Sequence, residues 1–139
     1  MTYIPTDEGW LYLTIILDLA DRKVIGWAMS EGLKAVETSV SAWRMALGNR
    51  AIDSHLVFHS DQGIQYACTE FQNQFKDLPV TQSMSRKGNC WDNVVAESFF
   101  KSFKSELVNQ TRFKTRAAAR LATFEYIEGW YNRQRKHST

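Results

Sequence analysis

A chain of 139 residues is long enough for one hydrophobic core and too short for two, and 44% apolar residues with five Trp and eight Phe exclude a disordered segment. There is no apolar run of about 18 residues and no export signal, so neither a membrane span nor secretion is indicated and a cytoplasmic location is expected; Cys68 and Cys90 offer neither a disulfide framework nor the CxxC spacing of a zinc or redox site. The net charge of +2 hides a split: residues 1–85 carry 6 Lys/Arg against 10 Asp/Glu, whereas residues 86–139 carry 11 against 5, which favours a polyanionic partner for the second half.

In chain order, Thr2 to Ile4 reads as the tail of a strand ending at Pro5. After the turn Asp7-Glu8-Gly9, the β-branched and aromatic run from Trp10 to Leu19 predicts a second strand. Ala20-Asp21-Arg22-Lys23 then connects it to a third, Val24 to Ser30, as an antiparallel hairpin. From Lys34 the period lengthens. Val36, Val40, Trp43 and Leu47 predict a helix stopped at Gly48-Asn49. Leu56 to Ser60 is a short apolar strand that delivers Asp61 at its carboxyl end, before a turn at Gln62-Gly63. Cys68 to Lys76 predicts a short helix and Val80 to Met84 a short strand. A final helix from about Thr115 is expected to face inward with Ala117, Leu121, Phe124, Ile127 and Tyr131. Hairpin strands extended by parallel strands through helical crossovers define one α/β domain over residues 1–139, with a mixed sheet flanked by helices. Open sheets of this kind place their chemistry at the carboxyl ends of strands, where Asp61 stands.

The stretch between the last strand and the last helix is the most informative. A basic loop, Ser85-Arg86-Lys87-Gly88, leads into a helix capped by Asp92 or Asn93 and running to about Val108, with Ala96, Phe99, Phe100, Phe103 and Leu107 on its apolar stripe. Glu97, Lys101 and Lys104 fall within about 60° of one another on another face. One carboxylate and two ammonium groups therefore share a direction, as a metal-binding acid beside phosphate contacts requires. Glu97 also sits in the first turn, where the helix dipole favours a negative charge.

The blocks His59-Ser60-Asp61-Gln62-Gly63-Ile64-Gln65-Tyr66 and Asp92-Asn93-Val94-Val95-Ala96-Glu97-Ser98-Phe99-Phe100 carry a resemblance. Together with the Thr2-Tyr3-Ile4 opening, the Trp10 to Trp27 hairpin and the Tyr131-Asn132-x-x-Arg135 tail, they make the chain resemble integrase-core transposases of bacterial insertion sequences, orfB type of insertion-sequence family three. The resemblance implies a ribonuclease H-like fold, with two aspartates and a glutamate holding two Mg2+ or Mn2+ ions. It implies DNA end cleavage and strand transfer on transposon-end and target DNA by a homo-oligomer, and no membrane partner. Asp61 matches the second acid, Glu97 the third, and Lys104 the basic residue seven positions after the glutamate. The first aspartate of the pattern falls immediately before Met1. Asp7, in a turn, and Asp18, on the second strand, are not expected to replace it, so residues 1–139 are expected to fold without cleaving DNA. The family's upstream helix-turn-helix region and its usual C-terminal end are also missing from these residues.

Among other candidates, Arg86, Lys87, Lys101 and Lys104 are expected to contact DNA phosphates. His59 reads as a hydrogen-bonded structural residue, Trp91 as a core staple, and Arg133, Arg135 and Lys136 as a solvated tail able to touch DNA backbone. Two further readings stay open: a nuclease of the same fold that cuts without joining, and a non-catalytic DNA-binding or assembly module.

Overall fold

The computed structural model describes residues 1–61, 63–84 and 94–134. Its first three strands, β1 (Thr2–Thr6), β2 (Gly9–Leu17) and β3 (Val24–Ser30), form an antiparallel sheet in that order. Two parallel strands, β4 (Leu56–Ser60) and β5 (Val80–Met84), form a second sheet. Helix α1 (Ser39–Asn49) joins β3 to β4, and the short turns α2 (Ile64–Ala67) and α3 (Thr69–Gln72) precede β5. The chain continues through α4 (Val94–Glu106) and α5 (Arg116–Phe124), a π-helical segment Glu125–Tyr131, and α6 (Asn132–Gln134). Among the described residues no helix is long and apolar enough to cross a membrane.

Strand β2 is the middle layer of a three-layer structure, which explains its nearly continuous apolar sequence. Leu11, Leu13 and Ile15 point to one side, where they meet Phe99 and Phe103 of α4 together with Ala119, Ile127 and Tyr131. Ile16 points to the other side, into a cluster of Val40, Trp43 and Ala46 from α1 with Phe58, Tyr66, Phe71 and Phe75. Close approach of β3 to α1 depends on Gly26, since a Cβ there would run into the carbonyl oxygen of Ala42 and come within 2.9 Å of the Ala46 Cβ.

Several expectations shift. The expected single mixed sheet is two sheets among the described residues, β1-β2-β3 and β4-β5. Strand β2 ends at Leu17, which leaves Asp18 in the turn, and β1 continues through Pro5 to Thr6. Helix α1 starts at Ser39 instead of near Lys34, because the turns over Lys34 to Thr38 mix i→i−3 and i→i−4 bonds and the Val40 N–H reaches back five residues to the Ala35 carbonyl. Val40 and Trp43 are buried as expected, but Val36 is 48% exposed. The Cys68–Lys76 helix is α3 followed by a 3-10 turn, Asn73–Phe75.

The last helix begins as expected, with the Thr115 side chain accepting the Ala118 N–H, and Ile127 and Tyr131 are buried as expected. In its first half the inward face differs: Ala119 and Thr123 are buried, while Ala117 is exposed and Leu121 and Phe124 are 60% and 48% exposed. Positions four apart drift by about 40° per step in a regular α-helix. The i→i+5 turns from Glu125 onward widen the helix and take up that drift, so the buried stripe continues to Tyr131. The α4 stripe holds, with Phe99 and Phe103 at most 1% exposed.

Candidate active site and its relatives

Asp61 follows β4, whose Phe58 and Ser60 turn inward while His59 on the opposite side is exposed. Strand alternation then puts Asp61 on the outer side with His59. The Asp61 Oδ1 accepts the Gly63 N–H at 2.7 Å, closing a tight turn ahead of α2. A Cβ at Gly63 would stand 2.8 Å from that oxygen, so a larger residue there would displace the Asp61 carboxylate. The turn is braced from below: Gln82 of β5 donates to the Tyr66 carbonyl at 2.6 Å. Burial, and then the Asp61 charge, push the Tyr66 hydroxyl above its usual range, so it stays protonated. His59 has the structural role expected of it, with Nδ1 3.1 Å from the Ser83 hydroxyl.

Glu97 lies in the first turn of α4, exposed, and makes no hydrogen bond or ion pair among the described residues. Lys101, one turn later, is also exposed. Lys104 is different. Its Nζ donates to the Tyr3 carbonyl of β1 at 2.7 Å and lies 4.6 Å from the centroid of the Tyr3 ring. Desolvation holds the Lys104 pKa below the ordinary lysine value.

A second tie fixes the direction of this part of the chain relative to β1. Thr6 bridges Phe113 in parallel sense, and the Asp7 N–H donates to the Phe113 carbonyl at 3.0 Å. Lys104 thus meets β1 near its start and Phe113 meets it near its end. Glu97 precedes Lys104 by seven residues on the same helix face, about 10.5 Å back along the axis. At the start of β1 the Met1 amine is pulled below its ordinary pKa by burial, with the Asp61 charge acting the other way.

Asp7 and Asp18 are engaged elsewhere: Asp7 with Arg112 at 3.2 Å, and Asp18 with Arg50. Arg86, Lys87, Trp91, the cap candidates Asp92 and Asn93, and the tail residues Arg135 and Lys136 lie outside the described residues. Cys68 is a free thiol. Sequence reasoning missed Tyr3 as the partner of Lys104, and also the role of Asn132. The Asn132 carbonyl accepts the Val24 N–H, and its amide donates to the Val24 carbonyl, both at 2.9 Å. Its place in the tail motif was the available signal.

The α/β domain thus carries an exposed carboxylate after a parallel strand, a second one opening a helix, and lysines along that helix. Residues 1–90 match the Integrase core domain family (rve), and residues 78–139 match a second Integrase core domain family (rve_3). The chain belongs to the Integrase core domain family. It is 43% identical over 138 residues to the transposase for insertion sequence element IS904 of Lactococcus lactis subsp. lactis (strain IL1403), covering 99% of this chain and 54% of that protein. It is 44% identical over 138 residues to transposase InsF for insertion sequence IS3A of Escherichia coli (strain K12), covering 99% of this chain and 48% of that protein. InsF for insertion sequence IS3 of Escherichia coli O111:H- matches to the same extent. The chain spans about half the length of the curated relatives it matches.

Proposed function

We propose that this chain is the catalytic core of a DNA transposase of insertion-sequence family three, with a ribonuclease H-like arrangement, cutting DNA at element ends and joining the freed 3′ hydroxyl to another phosphodiester. The observation that supports this reading is the pair of exposed carboxylates, Asp61 directly after the parallel strand β4 and Glu97 in the first turn of α4, with Lys101 and Lys104 following on the Glu97 helix.

The donor chemistry suits a hard divalent cation. Asp61 keeps one carboxylate oxygen outside its hydrogen bond to Gly63, and Glu97 is exposed, so both can offer oxygen to Mg2+ or Mn2+. Among the described residues no group of three or more His, Cys, Asp or Glu side chains could hold a metal ion. Two such ions would supply charge neutralisation at both the attacking and the leaving oxygen of an in-line phosphoryl displacement. By resemblance the first aspartate belongs immediately before Met1, beside Asp61. A polypeptide limited to residues 1–139 would then fold and bind DNA without cutting it.

The basic residues have a separate task. Arg86, Lys87 and Lys101 hold the phosphate backbone of the element end and of the target, which gives affinity without sequence preference. The Lys104 ammonium is bonded to the Tyr3 carbonyl. The active assembly is a cytoplasmic homo-oligomer on paired ends.

The test uses the full-length protein on a labelled element end with Mg2+. Asp61→Asn and Glu97→Gln are each expected to lower cleavage by at least about 10³-fold without changing DNA binding. Undiminished cleavage in either variant would remove that residue from the site. A pre-cleaved end that is not joined to target would favour the nuclease reading, and absence of cutting in the wild-type protein would favour the assembly module.

A further inference from the structure

We infer that Ser39 and Gln82 are positioning residues for the Asp61 carboxylate: from α1 and from β5 they clamp the turn that aims it. The inference rests on the carboxylate site proposed for Asp61 and Glu97, and deepens it.

The turn cannot hold itself. Helix α2 has four residues, and a single helical turn is far below the length at which a helix is stable alone. In so short a helix nearly every carbonyl is a terminal one without an intrahelical partner, so partners must come from outside. Two side chains supply them to consecutive carbonyls. The hydroxyl of Ser39, the first residue of α1, donates to the Gln65 carbonyl at 2.5 Å, and the Gln82 amide donates to the Tyr66 carbonyl at 2.6 Å. Both donors belong to the scaffold. Ser39 is fully buried. Gln82 stands in register with Phe58, and so points to the side of the β4–β5 sheet on which Phe58 joins Tyr66, Phe71 and Phe75. Strand patterning calls for an apolar residue at such a position, and the bond to Tyr66 is what accounts for a glutamine.

From these two bonds the restraint passes to the carboxylate in two steps. The Gly63 carbonyl accepts the Tyr66 and Ala67 N–H groups at 2.9 and 3.0 Å, so residues 63–67 move together. The Gly63 N–H in turn donates to the Asp61 Oδ1 at 2.7 Å and fixes which way the carboxylate faces. Asp61 is exposed, so packing does little to orient it. A shift of α2 would carry the Gly63 N–H with it and turn the carboxylate. Groups that orient a ligand in this way set metal affinity without touching the ion.

The experiment compares Gln82→Met, Ser39→Ala and Thr38→Val in the full-length protein. Gln82→Met keeps the length of the side chain and removes the donor. Thr38→Val is the control: the Thr38 hydroxyl, on a fully buried residue next to Ser39, donates to the Lys34 carbonyl at 2.9 Å and not to the turn. Melting temperatures are expected to fall in all three variants. The affinity for Mn2+ alone, read by titration calorimetry, is expected to fall about tenfold in Gln82→Met and in Ser39→Ala, and to hold in Thr38→Val. Hydrogen exchange without metal is expected to speed up severalfold at the Gly63, Tyr66 and Ala67 amides in the first two and to stay unchanged in the third. Should Ser39→Ala not fold, Gln82→Met decides alone. Unchanged Mn2+ affinity in Gln82→Met, where Asp61→Asn does weaken binding, would overturn the inference and leave the carboxylate site standing. An equal fall in Thr38→Val would also overturn it, because lost stability would then account for the lost affinity. If Asp61→Asn and Glu97→Gln both leave Mn2+ binding untouched, the carboxylate site fails and the inference falls with it.

Discussion

Asn132 holds both backbone groups of Val24 across a separation of 108 residues, accepting from the N–H and donating to the carbonyl at 2.9 Å each, much as a neighbouring strand would. The end of the chain is thereby fastened to the start of β3. Asn132→Ala would leave two partly buried backbone groups without partners, and it is expected to destabilise the fold by about 1–3 kcal/mol. Asn132→Asp keeps an acceptor and loses the donor, so it should fall between the two. Urea denaturation of the three proteins checks the order, and a change below about 0.5 kcal/mol for the alanine variant would show that water replaces the amide.

Two glycines make opposite predictions. A methyl group at Gly26 would collide with the Ala42 carbonyl and the Ala46 side chain, so Gly26→Ala should force β3 away from α1 at a cost of about 1–3 kcal/mol or more. A methyl group at Gly48, in the last turn of α1, would meet no heavy atom within 4 Å apart from its own helix backbone and chain neighbours. Gly48→Ala should therefore stabilise by about 0.5–1 kcal/mol through helix entropy. Thermal melts of both variants separate the effects by sign.

The inward face of the last helix can be tested with Ile127, fully buried, against Leu121, 60% exposed. Ile127→Ala should cost about 2–5 kcal/mol. Leu121→Ala should cost no more than about 0.5 kcal/mol. Equal losses would mean that the stripe expected from regular α-helical spacing is the buried one after all.

The turn between β2 and β3 gives a pH dependence. Desolvation raises the Asp21 pKa, but the Lys23 N–H and the Arg50 guanidinium outweigh it and leave the carboxyl below its ordinary value of 3.8. A depressed folded-state pKa adds stability above the unfolded value, and that stability is lost as pH falls through the folded one. The affected window lies below about pH 4. The effect is small, because the Asp21 side chain is 40% exposed and solvent screens the pair. Asp21→Asn should flatten the acid side of the stability profile and leave its slope between pH 5 and 7 unchanged, which denaturation at a series of pH values reads directly.

The sequence by itself determined the strands β3, β4 and β5 to the residue, the α4 stripe, and the presence of an acid after β4 and another opening α4. These follow from local rules: alternation with period two, helical spacing, turn residues, and short motifs whose members lie within ten residues of each other. The tertiary structure decided what depends on residues far apart. Leu121 and Phe124 satisfy helical periodicity as well as Ala119 and Thr123 do, and only the face met by β2, together with the widened turns after Glu125, settles which pair is buried. Lys104 and Lys101 are equivalent on a helical wheel, and the carbonyl of Tyr3, 101 residues away, makes them different. The division of the strands into two sheets is of the same kind, because strand pairing depends on where two distant segments overlap in space, and no local pattern encodes that overlap.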